Sequence, residues 1–186
     1  MTKVTLLGDS IRLLGYGQRT AELLGEEFTV WQPDENCRFA QYTMRMLRDY
    51  ADQIEGSDII HWNNGLWDTC DLFGDGNFTP PERYVELMVR LGALLQQRAK
   101  TVIFATTTPV RDAHPNNNNA TISRYNALLV PRLAEMGIVI NDLNALVAKD
   151  IDANIREDDL IHLTDTGIQR CAEQVAELIR AEAAKL

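Results

Sequence analysis

Residues 4 to 10 read Val4-Thr5-Leu6-Leu7-Gly8-Asp9-Ser10, an apolar run that ends in a glycine, an aspartate and a serine. The apolar part predicts a buried β-strand, and the three residues after it are typical of a turn into a helix. A serine at such a turn is a candidate nucleophile, because the free N–H groups of a first helical turn face any negative charge beside it. Ordinary turn and N-cap chemistry accounts for the same residues, so the tripeptide alone does not decide the function.

Five short apolar runs, rich in β-branched residues and bounded by turn or polar residues, predict strands. They lie at residues 3–7, 28–31, 58–62, 102–106 and 138–141. Segments of helical period separate them, so strand and helix alternate along the chain. We therefore predict an α/β fold, a three-layer α/β/α sandwich with a parallel sheet of about five strands in flavodoxin-like order, which forms one domain over residues 1–186.

The helical segments differ in how clearly they are marked. An apolar stripe from Tyr84 to Leu95 follows Thr79, and another from Ile168 to Ile179 follows Thr164, so both threonines are expected to cap helices. Further helices are expected near residues 20–24, 42–53 and 122–136. Pro131 should kink or divide the last of these, because proline removes a helical hydrogen bond.

Two long stretches without a helix or strand pattern follow predicted strands, at residues 69–79 and 107–120. Both would lie at the carboxyl edge of the sheet, where α/β folds bind their ligands and where long loops shape sites. The second stretch contains four consecutive asparagines, Asn116 to Asn119. We interpret this run as a solvated, flexible loop tip.

Composition and charge exclude several classes of partner. Eighteen Lys and Arg against 27 Asp and Glu give a net charge of -9, which repels nucleic acids and anionic membranes, so neither is expected as a partner. Cys37, Cys70 and Cys171 are widely separated, which fits reduced thiols. The first residues show neither a signal peptide nor a membrane span, so a cytoplasmic location is expected. No cofactor or metal is expected.

A serine nucleophile needs a histidine base and a carboxylate that orients it, and the chain has only three histidines. His61 lies in a predicted strand and is expected to be a packed core residue. His114 lies in the long second loop, where a plain surface histidine is the simpler interpretation. His162 stands three residues after Asp159, so one short segment supplies both a base and a carboxylate.

Gly8-Asp9-Ser10 near the amino terminus and Asp159-x-x-His162 near the carboxyl terminus resemble the first and last signature blocks of the SGNH, or GDSL, hydrolase superfamily. The resemblance frames nearly the whole chain. It implies a catalytic triad of Ser10, His162 and Asp159. No Gly-x-Ser-x-Gly elbow is present, which argues against the α/β-hydrolase family.

The second and third signature blocks of that family supply the oxyanion hole, together with the N–H of Ser10. This chain resembles those two blocks less closely than the first and last. Cys37 stands where the family usually has a glycine, so its backbone N–H is the expected second donor. In the third block Trp67 takes the register of the family's asparagine. In that register the indole N–H of Trp67 would be the donor; the alternative is Asn63 or Asn64 at the strand end, and Asn63 is preferred as the nearer to the strand. Asn64 and Trp67 are expected to contact substrate.

The resemblance implies a serine hydrolase that cleaves short-chain esters, with acetyl esters of a small molecule or carbohydrate as the first choice. An acyl thioesterase or lysophospholipase is the alternative enzyme. A non-catalytic flavodoxin-like module that holds a phosphorylated ligand at the turn of Gly8 to Ser10 is the alternative of another class. That module would leave the Asp159-x-x-His162 segment unexplained.

Overall fold

A computed structural model describes all 186 residues, and a five-stranded sheet forms its centre. All neighbouring strands pair in parallel, in the order β2-β1-β3-β4-β5. The strands are Thr2–Leu7 (β1), Phe28–Trp31 (β2), Ser57–Trp62 (β3), Ala99–Ala105 (β4) and Val139–Asn141 (β5). The predicted strands and their flavodoxin-like order are confirmed.

Helices connect the strands and cover both faces of the sheet. They are Gly17–Leu24 (α1), Ala40–Asp49 (α2), Ala51–Ile54 (α3), Leu66–Thr69 (α4), Pro81–Gln96 (α5), Asn119–Glu135 (α6), Leu143–Ala148 (α7), Ile151–Asn154 (α8) and Asp165–Ala183 (α9). A π-helical turn, Arg12–Tyr16, precedes α1. None of these helices combines the length and the apolarity that crossing a membrane requires.

Two apolar clusters, one on each face of the sheet, form the core. Because successive strand residues point to opposite faces, Leu6 joins the cluster under α1 and α9, and Leu7 joins the cluster under α2, α5 and α6. Both leucines are fully buried, and each such side chain contributes about 1.5 to 3 kcal/mol to folding. The three-layer α/β/α prediction is confirmed.

The two expected threonine caps have different outcomes. Thr164 caps α9, since its Oγ1 accepts a hydrogen bond of 3.1 Å from the Gly167 N–H. The prediction for Thr79 is wrong, because α5 begins at Pro81 and Thr79 Oγ1 instead donates to the carboxylate of Asp68 at 2.7 Å. Asp68 is fully buried, and burial raises its pKa to about 7. A buried carboxyl group without hydrogen-bond donors costs more free energy than a helix end whose N–H groups can bond water.

Two expectations concern the region around α6. Pro131 does not divide the helix, which runs without interruption from Asn119 to Glu135. The asparagine run before it is not a loose loop tip, because Asn117 is only 5% exposed and Asn118 caps α6 by accepting from the Thr121 N–H at 2.9 Å. Asn119 bonds both backbone groups of Val110. Each of these amide side chains therefore fixes a particular part of the loop.

Candidate active site

Ser10 follows β1 directly and stands at the beginning of the helical segment that leads into α1. The carbonyl of Asp9 accepts from the N–H groups of Arg12 and Leu13, at 3.2 and 3.0 Å, and so closes the first turn. The N–H of Ser10 precedes this turn and has no partner within the protein. Ser10 is half-buried, with its backbone fixed and its N–H available to a ligand.

Buried hydrogen bonds hold the turn that carries Ser10. Asp9 is 1% exposed, and its Oδ1 accepts from the Ile11 N–H at 2.9 Å and from Asn63 Nδ2 at 2.8 Å. The Tyr16 hydroxyl donates to Asn63 Oδ1 at 2.7 Å. Gly8 has no room for a side chain, since a Cβ there would lie 2.0 Å from Asn63 Oδ1. The end of β3 therefore clamps the turn at the end of β1.

His162 and Asp159 form a close pair. His162 Nδ1 lies 3.0 Å from Asp159 Oδ2, and Asp159 Oδ1 accepts from the backbone N–H groups of Ile161 and His162, at 3.1 and 2.9 Å. Partial burial raises the pKa of Asp159, but these backbone donors and the imidazole outweigh it and lower the pKa to about 2. An ionised Asp159 favours the imidazole tautomer with its hydrogen on Nδ1, which leaves the lone pair on Nε2.

The segment that carries this pair is anchored to the fold on both sides. Ile155 and Leu163 form an antiparallel β-bridge, and the Arg156 N–H donates to the His162 carbonyl at 2.9 Å. Arg156 also brings its guanidinium Nε to 3.6 Å from Asp159 Oδ2. The His162 Nε2 atom is shielded from solvent and has no hydrogen-bond partner within the protein.

A cavity of about 160 Å³ is lined by both Ser10 and His162. Its lining comes from four places: the turn after β1, the segment after β3, the loop after β4, and the segment that carries His162. The apolar lining residues are Leu66, Trp67, Cys70, Leu72 and Ile161, and the other polar ones are His114, Asn116 and Asn117. Both loops expected to shape a site thus contribute to one cavity, together with the candidate nucleophile and base.

Comparison with known proteins shows where this architecture recurs. No family model and no curated protein sequence matches the chain. Among solved structures, a lipase/acylhydrolase from Enterococcus faecalis matches with a TM-score of 0.80 and 16% identity over 97% of this chain and 96% of that chain. A member of the lipolytic protein G-D-S-L family from Veillonella parvula matches with a TM-score of 0.76 and 16% identity over 97% and 99%. The chain therefore has the same fold as these two hydrolases.

An acetylxylan esterase from Geobacillus stearothermophilus shares that fold, with a TM-score of 0.77 and 16% identity over 95% of this chain and 93% of that chain. The three matches extend over nearly the full length of each partner. The shared fold includes the five-stranded parallel sheet described above.

The prediction that the Cys37 N–H donates to the oxyanion is wrong. The Cys37 N–H donates to the Gly8 carbonyl at 3.0 Å, so it is committed within the protein. Cys37 Sγ accepts from the Gly8 N–H at 3.2 Å, and burial raises the pKa of this thiol. The residue with left-handed backbone is the next one, Arg38, with φ of 49°. Here the loop after β2 therefore braces the nucleophile turn and does not offer the Cys37 N–H to a ligand.

Of the three residues expected from the third signature block, Asn63 and Asn64 are buried and Trp67 is exposed. Asn63 is 5% exposed and bonds within the protein, as described above. Asn64 is 1% exposed, accepts from Trp62 Nε1 at 3.0 Å and donates to the Arg38 carbonyl at 2.7 Å. The expectation that Asn64 contacts substrate is therefore wrong, because its amide is used to hold the loop after β2. Trp67 does line the cavity and is 38% exposed.

Gly65 allows the backbone turn that leads from β3 into α4, the helix that carries Trp67. Its φ of 152° is open to glycine alone, and a Cβ would lie only 1.9 Å from Thr107 Oγ1. The backbone therefore passes close against the end of β4 before it enters α4, and α4 then presents Trp67 at the cavity.

The remaining histidines lie in different environments. His61 is fully buried in the sheet, with Nε2 3.1 Å from Asn141 Nδ2, and burial lowers its pKa to about 3, so it is the core residue that was expected. His114 is not a plain surface residue, because it lines the cavity beside Ser10. Sequence reasoning missed both His114 and Asn117 as site residues. The available signal was their position in a long loop at the carboxyl edge of the sheet.

Proposed function

We propose that this chain is a serine esterase that hydrolyses short acyl esters, acetyl esters first, of a small molecule or carbohydrate. The observation that carries the proposal is one cavity lined by Ser10 and His162, with the imidazole held by an ionised Asp159. A nucleophile, a base and a carboxylate that orients the base are the residue types that nucleophilic acyl transfer needs, and this supports the proposal.

In the proposed reaction, Ser10 Oγ attacks the ester carbonyl carbon while His162 Nε2 takes the hydroxyl proton. The bond from that carbon to the leaving oxygen then breaks, and His162 returns the proton to the departing alcohol. Water next attacks the acyl-enzyme carbonyl and gives a proton to His162. That proton passes to Ser10 Oγ when the carboxylic acid leaves, so the enzyme is regenerated unchanged.

The negative oxygen of the tetrahedral intermediate needs preorganised donors, and we assign two. The first is the Ser10 N–H, which has no partner within the protein. The second is Asn63, whose Nδ2 uses one hydrogen on Asp9, the residue before Ser10, and keeps its second hydrogen. The bonds to Asp9 and Tyr16 fix the orientation of this amide before substrate arrives, which is what electrostatic preorganisation requires.

Two features support short acyl groups. The cavity of about 160 Å³ has room for a small acyl group, and its apolar lining suits a methyl. Proteins with the same fold include an acetylxylan esterase, two structures of which are of catalytic mutants that carry alanine in place of a serine and of a histidine.

We expect a serine-directed fluorophosphonate to label the protein at Ser10, located by peptide mass analysis. With a series of nitrophenyl acetate, butyrate and octanoate, kcat/KM should be highest for acetate and fall with chain length. Highest activity on octanoate would favour the lysophospholipase alternative, and preference for acyl thioesters would favour a thioesterase. An unlabelled Ser10 without hydrolysis of any of these esters would exclude a serine hydrolase and leave a ligand-binding module.

Replacement of Asn63 tests the second oxyanion donor. Asn63→Ala is expected to lower kcat by about 100-fold to 1,000-fold with little change in KM, because the lost donor acts on the transition state. The matched control is Tyr16→Phe, which removes the other hydrogen bond of the same amide but keeps its N–H groups. Both variants should lose stability, by about 1 to 3 kcal/mol for each buried group left unpaired, as urea unfolding would measure. Equal losses of kcat in both would show that Asn63 acts only through the fold.

A further inference from the structure

His114 has one ring nitrogen committed to the backbone of its own loop. Its Nδ1 lies 3.3 Å from the Asn116 N–H and 3.0 Å from the Asn117 N–H, and accepts from both. A nitrogen that accepts these bonds carries no hydrogen, so the neutral imidazole must have its hydrogen on Nε2. The loop therefore sets the tautomer of His114, as Asp159 sets the opposite tautomer of His162.

His114 is also held in the neutral form. Partial burial lowers its pKa, the nearby His162 lowers it further, and Asp159 opposes both effects. Protonation would place a hydrogen on Nδ1 against two backbone N–H groups, which the loop geometry disfavours. His114 is thus a hydrogen-bond donor through Nε2 alone and has no lone pair left to serve as a base.

The other ring nitrogen of His114, Nε2, is not used by the loop. The ring lines the same space as Ser10 and His162, and Nε2, on the side of the ring away from the loop backbone, has no partner within the protein. Asn117 adds a second donor, because its Oδ1 accepts from Thr69 Oγ1 at 2.9 Å and its Nδ2 has no protein partner. The loop after β4 therefore offers the cavity N–H donors.

The chemistry of these donors indicates which substrate groups they can bind. N–H donors without a formal charge fit neutral oxygen acceptors, such as hydroxyl or ether oxygens. The nearest cation of the loop, Arg111, is turned away and bonds Asp152 and the Ile155 carbonyl. The segment after β3 lines the cavity mainly with apolar residues. An acyl methyl against that segment would leave the alcohol part of an ester to face His114.

We propose that His114 is a specificity-determining residue, whose Nε2–H donates to an oxygen of the alcohol part of the ester and so favours esters of polyhydroxy alcohols. The inference rests on the proposed esterase function and deepens it, because it assigns the recognition of the leaving alcohol to one residue.

Two substitutions test the roles of the two ring nitrogens of His114 separately. In His114→Asn the amide oxygen takes the position of Nδ1, which keeps the bonds from Asn116 and Asn117 and removes the cavity donor. In His114→Gln the amide nitrogen reaches the position of Nε2, which keeps the donor and loses the loop acceptor. The substrates are glycerol monoacetate and propyl acetate, which differ only in two hydroxyl groups.

We expect His114→Asn to lower kcat/KM about five- to tenfold on glycerol monoacetate, mainly through KM, and to leave propyl acetate unchanged within about twofold. His114→Gln should retain the preference for glycerol monoacetate. Equal losses on both esters, or no loss on either, would overturn the proposal. Failure of the esterase function itself would look different, since the unaltered protein would then hydrolyse neither ester. Thermal melting of both variants checks that each remains folded.

Discussion

Ser10→Ala is expected to lower kcat on nitrophenyl acetate by about 100,000-fold to 1,000,000-fold, because the acyl-enzyme cannot form without Oγ. A residual rate of about 1,000-fold to 10,000-fold above the reaction in water should persist, since the oxyanion donors and the cavity remain. KM should change little, because the hydroxyl contributes little to ground-state binding. Steady-state kinetics at saturating ester, with mass analysis to exclude contaminating wild-type protein, measures this loss.

The same variant should fold normally. Ser10 Oγ makes no hydrogen bond within the protein, so its removal should change the free energy of unfolding by no more than about 0.5 kcal/mol. The matched control is Ser123→Ala, an exposed serine on α6, which should leave both kcat and stability unchanged. Hydrolysis by Ser10→Ala at the wild-type rate would disprove the nucleophile assignment, whereas lost activity with a large fall in Tm would point to a structural role.

The parts of the site that could be predicted are those set by short stretches of sequence. Gly8-Asp9-Ser10 follows a strand whose apolar run is unambiguous, and the Asp159 to His162 pair is closed by backbone bonds within four residues. The sheet follows from the same local signals, because strand runs and helical stripes alternate along the chain. Local pattern therefore predicted the fold and the two halves of the proposed triad.

The errors fall where a residue's role depends on a distant partner. Cys37 was expected to present its N–H to an oxyanion, but the Gly8 carbonyl, on another strand end, takes that N–H. Asn64 bonds the loop after β2, and Thr79 bonds Asp68 in preference to its own helix. The sequence does not reveal these partners, because each bond depends on how two loops meet at the carboxyl edge of the sheet.

The asparagine run shows a second kind of limit. Composition treats four identical residues as one polar segment, whereas the fold gives three of them different roles. Asn117 lines the cavity, Asn118 caps α6 and Asn119 bonds Val110. The interpretation as a flexible tip failed because solvation was inferred from residue type, and burial is decided by the neighbouring loop.

Two carboxyl groups near His162 differ in the direction of their pKa shifts, and only Asp159 contacts the imidazole, at 3.0 Å from Nδ1. Burial raises the pKa of Asp9, which lies inside the nucleophile turn with its Oδ2 unpartnered. Asp159 has a pKa of about 2, because backbone donors and His162 outweigh its partial burial. Asp159 is therefore ionised above about pH 3, and its stabilising contribution is lost only as the pH falls from about 4 towards 2.

Asp159→Asn is expected to lower kcat by about 10,000-fold. The backbone N–H groups of Ile161 and His162 require an acceptor at the position of Oδ1, so the new amide must place its oxygen there and turn its NH₂ towards His162 Nδ1. Nδ1 then accepts, and the imidazole hydrogen moves to Nε2, where it blocks proton transfer from Ser10. The shape of the site is kept and only the tautomer is wrong.

The matched control is Asp158→Asn, which removes the same charge one residue away. Asp158 is exposed and pairs with Arg156, without contact to the imidazole, so its loss should change kcat by less than about threefold. The kinetics of both variants are measured on nitrophenyl acetate, and nitrogen NMR locates the imidazole hydrogen of His162. Together these measurements distinguish the effect of the wrong tautomer from the effect of the lost charge. Similar losses in the two variants would mean that the negative potential of the segment matters and the contact does not. A loss confined to Asp159→Asn, with the hydrogen on Nε2, assigns Asp159 its role through that one contact.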